Sequence, residues 1–312
     1  MPETAKDAAD YILPLNVNGL HGRMLRAPSR AKKYQRREIL LVYGHHAMLE
    51  RWWSLVQNLE RYGNVTMPDM PGFGGMDSFE KIGTKPSIDA HADYLASFIR
   101  LRYRRKRLTI YAVSYGFLVV TRMLQRYPEL AGKVEMLVSA VGFMHADDLI
   151  FKPFKRRVYS RIARLFASRP VAFFIRYCVL NKLALTYLYT KLPSSKRRMV
   201  EVAPEEFKAS MEFEVRLWQA NDVRTHWLTT SEFLKLDNTR MHIPLPVSHI
   251  VSRNDYYINN VSVEQHMRQV FSGYEQFESK SKAHVPSVLA DKAAMGVLLP
   301  PALRRRLIHR KK

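Results

Sequence analysis

Short apolar segments alternate with segments of helical spacing along this chain, and the alternation constrains the fold more than any other feature. Four strand-length apolar segments lie in the first half, at residues 39–43, 64–67, 108–113 and 133–138. Each of the first three is followed by a segment whose apolar residues recur every three or four positions, as in a helix packed on one face. Apolar strands separated by helices are typical of a parallel sheet covered on both faces. We therefore predict an α/β fold with a mostly parallel central sheet flanked by helices.

The alternation stops near residue 145 and resumes near residue 246. Between residues 147 and 238 the spacing is helical and contains no convincing strand. Two further strands, at 246–251 and 274–278, then follow with a helix between them. We predict an α/β core made of residues 1–146 and 239–312, interrupted by a helical cap insertion at 147–238.

The two ends of the chain carry their own local signals. Residues 11–17 and 23–26 alternate around Gly19 and Gly22, which predicts a hairpin turning at those glycines. Near the other end we expect a last core helix from residue 285. Residues 304–312 carry six Lys or Arg and no acid, so we expect a solvated basic tail there.

A serine lies at the junction of a predicted strand and a predicted helix. Residues 112–116 read Ala-Val-Ser-Tyr-Gly, a variant of the G-x-S-x-G pattern in which Ala112 replaces the first glycine. A turn of this kind exposes the Ser114 hydroxyl at the carboxyl edge of the sheet, and the following N–H groups point at developing negative charge. Ser114 is therefore the candidate nucleophile.

Candidate partners for Ser114 follow the last two predicted strands. Asp255 ends the segment Ser-Arg-Asn-Asp, and His284 begins His-Val-Pro. Because the carboxyl ends of parallel strands share one edge of a sheet, we expect the three side chains to converge. A serine hydroxyl needs a base, and the base needs a carboxylate to orient it.

Two further segments complete a family pattern. Residues 67–74 read Met-Pro-Asp-Met-Pro-Gly-Phe-Gly, and residues 126–129 read Arg-Tyr-Pro-Glu. Together with the serine turn and the Asp and His segments, in this order, they resemble the α/β-hydrolase superfamily, specifically its members with a helical cap. The resemblance covers residues 11 to 299. It implies that Ser114 is the nucleophile, His284 the general base and acid, and Asp255 the orienting carboxylate.

The resemblance also implies an oxyanion hole built from two backbone N–H groups, those of His45 and Tyr115. The family usually shows His-Gly where this chain has Tyr43-Gly44-His45-His46. Backbone donation does not depend on that side chain, although Tyr43 leaves the loop geometry open. We also consider His46 a substrate-binding candidate.

Alternative acids follow the fourth predicted strand. Asp147 and Asp148 lie where some branches of the superfamily place the acid. Asp255 is preferred because its S-x-x-D turn is intact. The two earlier carboxylates are expected to open the cap.

The implied reaction is acyl transfer, in which Ser114 attacks a carboxylic ester and water then releases the acid, with lipid or small apolar esters as the expected substrates. The cap is rich in aromatic residues, and Phe173, Phe174 and Tyr177 are candidates for an apolar acyl pocket, with the cap's own core as the competing role. No cofactor or metal is implied. Two alternatives stay open: the same triad acting on a thioester, amide or C–C bond, and a non-catalytic binding protein that keeps the fold.

Charge is unevenly spread over the chain. The formal net charge is +22, and residues 26–37, 100–107, 152–164 and 304–312 each hold six Lys or Arg without an acid. Solvated faces and contact with an anionic membrane both fit such stretches. We expect no nucleic-acid function, since no recognised nucleic-acid motif accompanies the charge.

One basic stretch has an amphipathic pattern. Val158, Tyr159, Ile162, Leu165 and Phe166 share one helical face, and Arg157, Arg161 and Arg164 share another. We expect the apolar face to pack on the core; a helix lying on an anionic membrane is the alternative. With a single cysteine, Cys178, and no signal-peptide pattern, the expected compartment is the cytoplasm, with peripheral contact at the inner membrane surface.

Overall fold

The computed structural model describes residues 7–181, 183–185, 187, 204–253, 255–281 and 283–309. One eight-stranded sheet organises them, in the order β1-β2-β4-β3-β5-β6-β7-β8. Only β2 runs against the others, because its pairings with β1 and β4 are antiparallel and the remaining pairings are parallel. The strands are β1 Ile12–Val17, β2 Leu20–Ala27, β3 Glu38–Val42, β4 Asn64–Pro68, β5 Leu108–Val113, β6 Val134–Ala140, β7 Ile243–Ser252 and β8 Phe271–Ser279.

The central strands are buried along their whole length, as predicted for a parallel sheet covered on both faces. Every residue of β3, β4 and β5 is buried. Helix α2 begins after Ser87, whose hydroxyl caps it by accepting the Ala90 N–H. The helices of the core are α1 Trp53–Leu59, α2 Ile88–Arg102, α3 Tyr115–Arg126, α8 Asn260–Val270, α9 Lys292–Met295 and α10 Pro301–Ile308.

The N-terminal hairpin turns at residues 18 and 19, whereas the sequence predicted a turn that also included Gly22. Asn18 and Gly19, both with positive φ, form the turn between β1 and β2. Gly22 lies inside β2, opposite Leu15. A Cβ on Gly22 would lie 2.5 Å from Met76 Cγ, so this glycine allows a close contact and not a turn.

Between residues 147 and 238 the described segments are helical. They are α4 Pro153–Phe166, α5 Arg169–Phe174, a π-helical turn Ile175–Val179, α6 Pro204–Ala220 and α7 Val223–Phe233. The chain leaves and re-enters the core side by side, because His145 and Asp237 form an isolated antiparallel bridge. This helical segment is called the cap below.

Helix α4 packs differently from the sequence-based expectation. Its buried residues are Arg156, Ser160 and Ala163, whereas Ile162 and Leu165 are exposed. Ser160 faces α7, where its hydroxyl bonds Ser231. The prediction that the apolar face of this helix covers the core was wrong.

The C-terminal predictions also need correction. Turns occupy residues 285–291, and the last helices are α9 and α10. Residues 304–308 belong to α10 and not to a solvated tail, since Leu303 and Leu307 are fully buried. Arg37 donates to the Leu307 carbonyl at 2.7 Å, and Arg306 pairs with Glu275 at 2.6 Å. Among the described helices, none has the length and apolar content needed to cross a membrane.

Candidate active site

Ser114 occupies a tight turn between β5 and α3. Its backbone has φ +48° and ψ −118°, a conformation that a serine adopts only when its surroundings impose it. Gly116 makes the turn possible: a Cβ there would lie 2.4 Å from the Val42 oxygen and 2.5 Å from the Tyr43 oxygen. The alanine that replaces the first glycine of the pattern is accommodated in the strand, since Ala112 is fully buried in β5.

The structure brings Ser114, His284 and Asp255 together in one hydrogen-bonded chain. The Nε2 atom of His284 lies 2.9 Å from the Ser114 Oγ, and its Nδ1 atom lies 2.5 Å from Asp255 Oδ2. A carboxylate only accepts, so Nδ1–H donates to Asp255, and Nε2 is left to accept the hydroxyl proton. This is the arrangement of a general base on a serine.

Asp255 is held so that one oxygen stays directed at the histidine. Its other oxygen, Oδ1, accepts the backbone N–H groups of Tyr257 at 2.9 Å and Ile258 at 3.1 Å. The side chain is only 2% exposed. The turn after β7 therefore fixes the carboxylate independently of its bond to His284.

The alternative acids have other partners. Asp148 is fully buried and accepts from the Met144 and His145 N–H groups, both at 2.9 Å, and from His266 Nδ1 at 2.6 Å. Asp147 forms an ion pair with Arg156 at the start of the cap. Both carboxylates thus brace the base of the cap.

Two backbone segments approach the serine, the loop at Gly44 that leads into His45 and the helix start at Tyr115. Gly44 is so close that a Cβ there would sit 3.5 Å from Ser114 Cβ. Tyr115 is the first residue of α3, and the N–H groups of a first helical turn have no partner within the helix. Both positions suit donors to an oxygen that develops charge next to Ser114.

Tyr43 supports the loop from behind. It is fully buried, and its hydroxyl donates to Asp69 Oδ1 at 2.9 Å while accepting the Met70 N–H at 2.7 Å. Burial, followed by the charge of Asp69, raises the pKa of Tyr43 well above its ordinary value, which keeps the donor protonated. Arg23 pairs with the buried Asp69 at 3.1 Å. Tyr43 thus ties the loop to the Pro-Gly turn after β4.

Side chains of α7 cover part of the loop that contains His45. The ring of His45 lies 4.7 Å from His226 and 5.4 Å from Phe233, centroid to centroid. Its Nε2 atom lies 2.8 Å from Thr229 Oγ1, whose own proton goes to the Thr225 carbonyl, so Nε2–H of His45 is the donor. Burial, then the neighbouring His226, lowers the pKa of His45, and the ring is neutral at pH 7.

His46 lies under α6 and the start of α7. Its Nδ1 atom accepts from the Asn221 amide at 3.1 Å, and its ring lies 4.1 Å from that of Trp218, tilted by 50°. Among the described residues, the buried Nε2 of His46 and Nδ1 of His226 have no hydrogen-bond partner. Burial lowers the pKa of His46 well below its ordinary value and that of His226 to about 3. Both groups are therefore neutral and have hydrogen-bonding capacity to spare.

Sequence reasoning missed the contribution of α7. His226, Thr229 and Phe233 approach His45 from one face of that helix, and their spacing of three and four residues is the signal that was available. The predicted pocket residues lie elsewhere. Phe173, Phe174 and Tyr177 are 67%, 57% and 68% exposed, so they form outer cap surface and not the wall of an enclosed pocket. That prediction is corrected accordingly.

The parallel sheet, the strained serine turn and the placement of an acid and a histidine after successive strands define a class of enzyme folds. A family model described as alpha/beta hydrolase fold matches residues 39–216, more than half of the chain. The chain belongs to the α/β-hydrolase fold family, and this membership indicates a hydrolase. A search of curated protein sequences found no match.

Solved structures of similar fold include three hydrolytic enzymes. An esterase from Thermogutta terrifontis is 15% identical, with a TM-score of 0.62, and the match covers 95% of this chain and 98% of that one. A hydrolase from Pseudomonas aeruginosa is 15% identical, with a TM-score of 0.65 and coverage of 93% and 98%. An enol-lactonase from Burkholderia xenovorans is 13% identical, with a TM-score of 0.58 and coverage of 86% and 91%. At these identities the likeness shows the fold alone.

Within the described residues, no group of three or more His, Cys, Asp or Glu side chains is arranged to hold a metal ion.

Proposed function

We propose that this chain is a serine hydrolase that cleaves carboxylic esters through an acyl-enzyme. The observation that carries the proposal is the hydrogen-bonded chain Ser114–His284–Asp255, with distances of 2.9 and 2.5 Å. An esterase and an enol-lactonase among the structures of similar fold support ester chemistry.

The geometry supports a two-step mechanism. Ser114 Oγ attacks the carbonyl carbon of the ester while its proton moves to His284 Nε2. The N–H groups of His45 and Tyr115 stabilise the oxyanion, and His284 gives its proton to the departing alkoxide. A water molecule then attacks the acyl-enzyme while its proton moves to Nε2, and His284 returns that proton to Ser114 Oγ as the acid leaves.

Asp255 acts through the histidine. It fixes the Nδ1–H tautomer and stabilises the imidazolium that forms in each half-reaction. Because two backbone N–H groups hold its far oxygen, the carboxylate does not turn away when substrate enters.

The surroundings of the loop suit an ester with an apolar body. Phe233 and Trp218 supply apolar surface near the loop, and burial keeps the histidines there neutral.

Labelling with a fluorophosphonate tests the proposal most directly. The serine oxygen forms a bond to phosphorus and fluoride leaves, so the protein mass rises by one phosphonyl group. The wild type and Ser97→Ala, a control serine on α2, should label at Ser114, and Ser114→Ala should not. Ser114→Ala should also lose about 10⁴-fold or more in kcat on a p-nitrophenyl ester. A folded wild type that takes up no label and turns over no ester would favour a non-catalytic binding protein. Preference for thioester or amide analogues would move the proposal to those bonds.

A further inference from the structure

Helix α4 is amphipathic with its apolar side directed outward. The residues it buries are Arg156, Ser160 and Ala163. The residues it exposes include Phe154 at 75%, Ile162 at 40% and Leu165 at 59%. A helix whose partner were only the rest of the domain would bury the second set and expose the first.

Basic side chains border this apolar strip. At 100° per residue, Phe154, Ile162 and Leu165 lie opposite the buried residues, and Arg161 lies among them. Arg157 and Arg164 lie along one edge. All three arginines are exposed. The outer cap face is the name used here for Phe154, Arg157, Arg161, Ile162, Arg164 and Leu165.

Exposed aromatic rings follow the outer cap face along the chain. Phe173, Phe174 and Tyr177 lie on α5 and the π-helical turn, and each is more than half exposed. The rings of Phe173 and Tyr177 contact each other at 4.6 Å. Aromatic side chains with an apolar body are favoured at the boundary between lipid headgroups and acyl chains.

We propose that the outer cap face docks on an anionic phospholipid bilayer, with its apolar residues in the acyl boundary and its arginines at the phosphates. Burial of apolar area and attraction of basic residues to acidic lipid act together in this mode of binding. Nucleic acid would bind the arginines through its phosphates, but it would leave the leucine and the isoleucine exposed to water. The net charge of +22 adds long-range attraction to an anionic surface.

The proposed docking face is connected to the candidate active site by packing. Helix α4 packs on α7, where Phe166 contacts Trp227 at 5.0 Å. The same helix α7 carries His226 and Thr229 over His45. The membrane would thus contact α4 on its side away from α7. The docking proposal does not depend on the proposed catalytic function.

Vesicle sedimentation of the full chain tests the proposal. Vesicles of phosphatidylcholine with phosphatidylserine should pellet the protein at low salt, less of it at high salt, and vesicles of phosphatidylcholine alone should pellet little. Arg157→Gln/Arg161→Gln/Arg164→Gln should weaken partition by roughly 100-fold, about fivefold for each charge. Phe154→Ser/Leu165→Ser should weaken it by about tenfold or more.

Matched control variants distinguish binding through the outer cap face from a general effect of lost charge or lost apolar surface. Arg104→Gln/Arg105→Gln/Arg107→Gln removes the same charge from another exposed basic stretch, and should weaken partition by less than about fivefold. Leu101→Ser/Val261→Ser removes apolar residues that are 67% and 68% exposed on the core, and should have little effect.

The outcomes that overturn the proposal are distinct. Equal pelleting with neutral and acidic vesicles removes its electrostatic basis, and equal loss in the test and control variants returns the charge to a general surface effect. Binding to duplex DNA without binding to vesicles would assign the face to nucleic acid. Melting temperature and turnover of a soluble ester should stay unchanged in all four variants, since their residues are exposed. If the triple arginine variant does not fold, Leu165→Ser alone carries the comparison.

Discussion

Replacing Asp255 by asparagine separates the proposed triad acid from its alternatives. The amide oxygen of the new side chain would keep the two N–H bonds from Tyr257 and Ile258, since turning the amide would sacrifice both. Its NH₂ group would then face His284 Nδ1. A donor at that position forces Nδ1 to accept, which places the imidazole proton on Nε2. Nε2 would no longer be able to take the proton of Ser114.

The magnitude follows from that change of tautomer. In the serine proteases the same substitution leaves the geometry intact and lowers kcat by about 10⁴-fold. We expect a loss of that order for Asp255→Asn, with the free energy of unfolding changed by less than about 1 kcal/mol because its backbone bonds remain.

Asp148→Asn is the matched control, since Asp148 is also a buried carboxylate bonded to a histidine. Its partner is His266, which has no contact with Ser114 among the described hydrogen bonds. We expect a stability loss of about 1–3 kcal/mol and a change in kcat of less than about tenfold.

The assay is kcat and KM on a p-nitrophenyl ester, together with urea unfolding, for both variants. A large loss of kcat in folded Asp148→Asn, with near-normal turnover in Asp255→Asn, would refute the reasoning. It would place the acid after β6 and not after β7.

Three further predictions follow from buried groups around the site. Gly116→Ala should lower kcat by at least about tenfold and reduce stability, because its Cβ would overlap the Val42 and Tyr43 oxygens, whereas Gly132→Ala, with open space at its Cβ, should do neither; kinetics and melting curves measure both. Tyr43→Phe should cost about 1–3 kcal/mol in urea unfolding, since buried Asp69 Oδ1 and Met70 N–H would each lose a partner; a cost near zero would contradict the bridging role. Acid should destabilise the fold: burial lowers the pKa of His91 to about 4 and that of His249 to about 3, so between pH 6.5 and 4 the unfolded chain binds protons that the native state does not. The free energy of unfolding should fall by about 3 kcal/mol per histidine over that range, and His91→Gln should remove its share of the pH dependence of the urea midpoint.

The elements that sequence predicted well are those whose local chemistry leaves one solution. Ser114 lies where an apolar strand meets a helix, and at position 116 the nearby carbonyl oxygens leave room only for glycine. The serine turn was therefore predictable from five residues. The strand-end positions of Asp255 and His284 follow from the parallel sheet, which converts separations of many residues into contact.

Other features depend on contacts that no local pattern encodes. Tyr43 supports the loop through its hydrogen bond to Asp69, which lies in the turn after β4. Nothing in the Tyr-Gly-His-His segment itself predicts that bond. Residues 304–308 look like a solvated basic tail, yet Leu303 and Leu307 dock them on the core while the arginines remain outside. The two buried leucines, the Arg37 bond to the Leu307 carbonyl and the Arg306–Glu275 pair together hold the segment on the core.

Helix α4 shows where periodicity reaches its limit. An amphipathic pattern specifies that a helix has two unlike faces, but it does not specify which of them the domain covers. Here α4 packs on α7, where Ser160 bonds Ser231, and Arg156 and Ala163 are the other residues that α4 buries. A small, partly polar face fits closely against α7, and the apolar face is left outward with arginines beside it. Phe154 and Leu165 remain exposed to water on that face, and the adjacent arginines suit the anionic headgroups of the proposed bilayer.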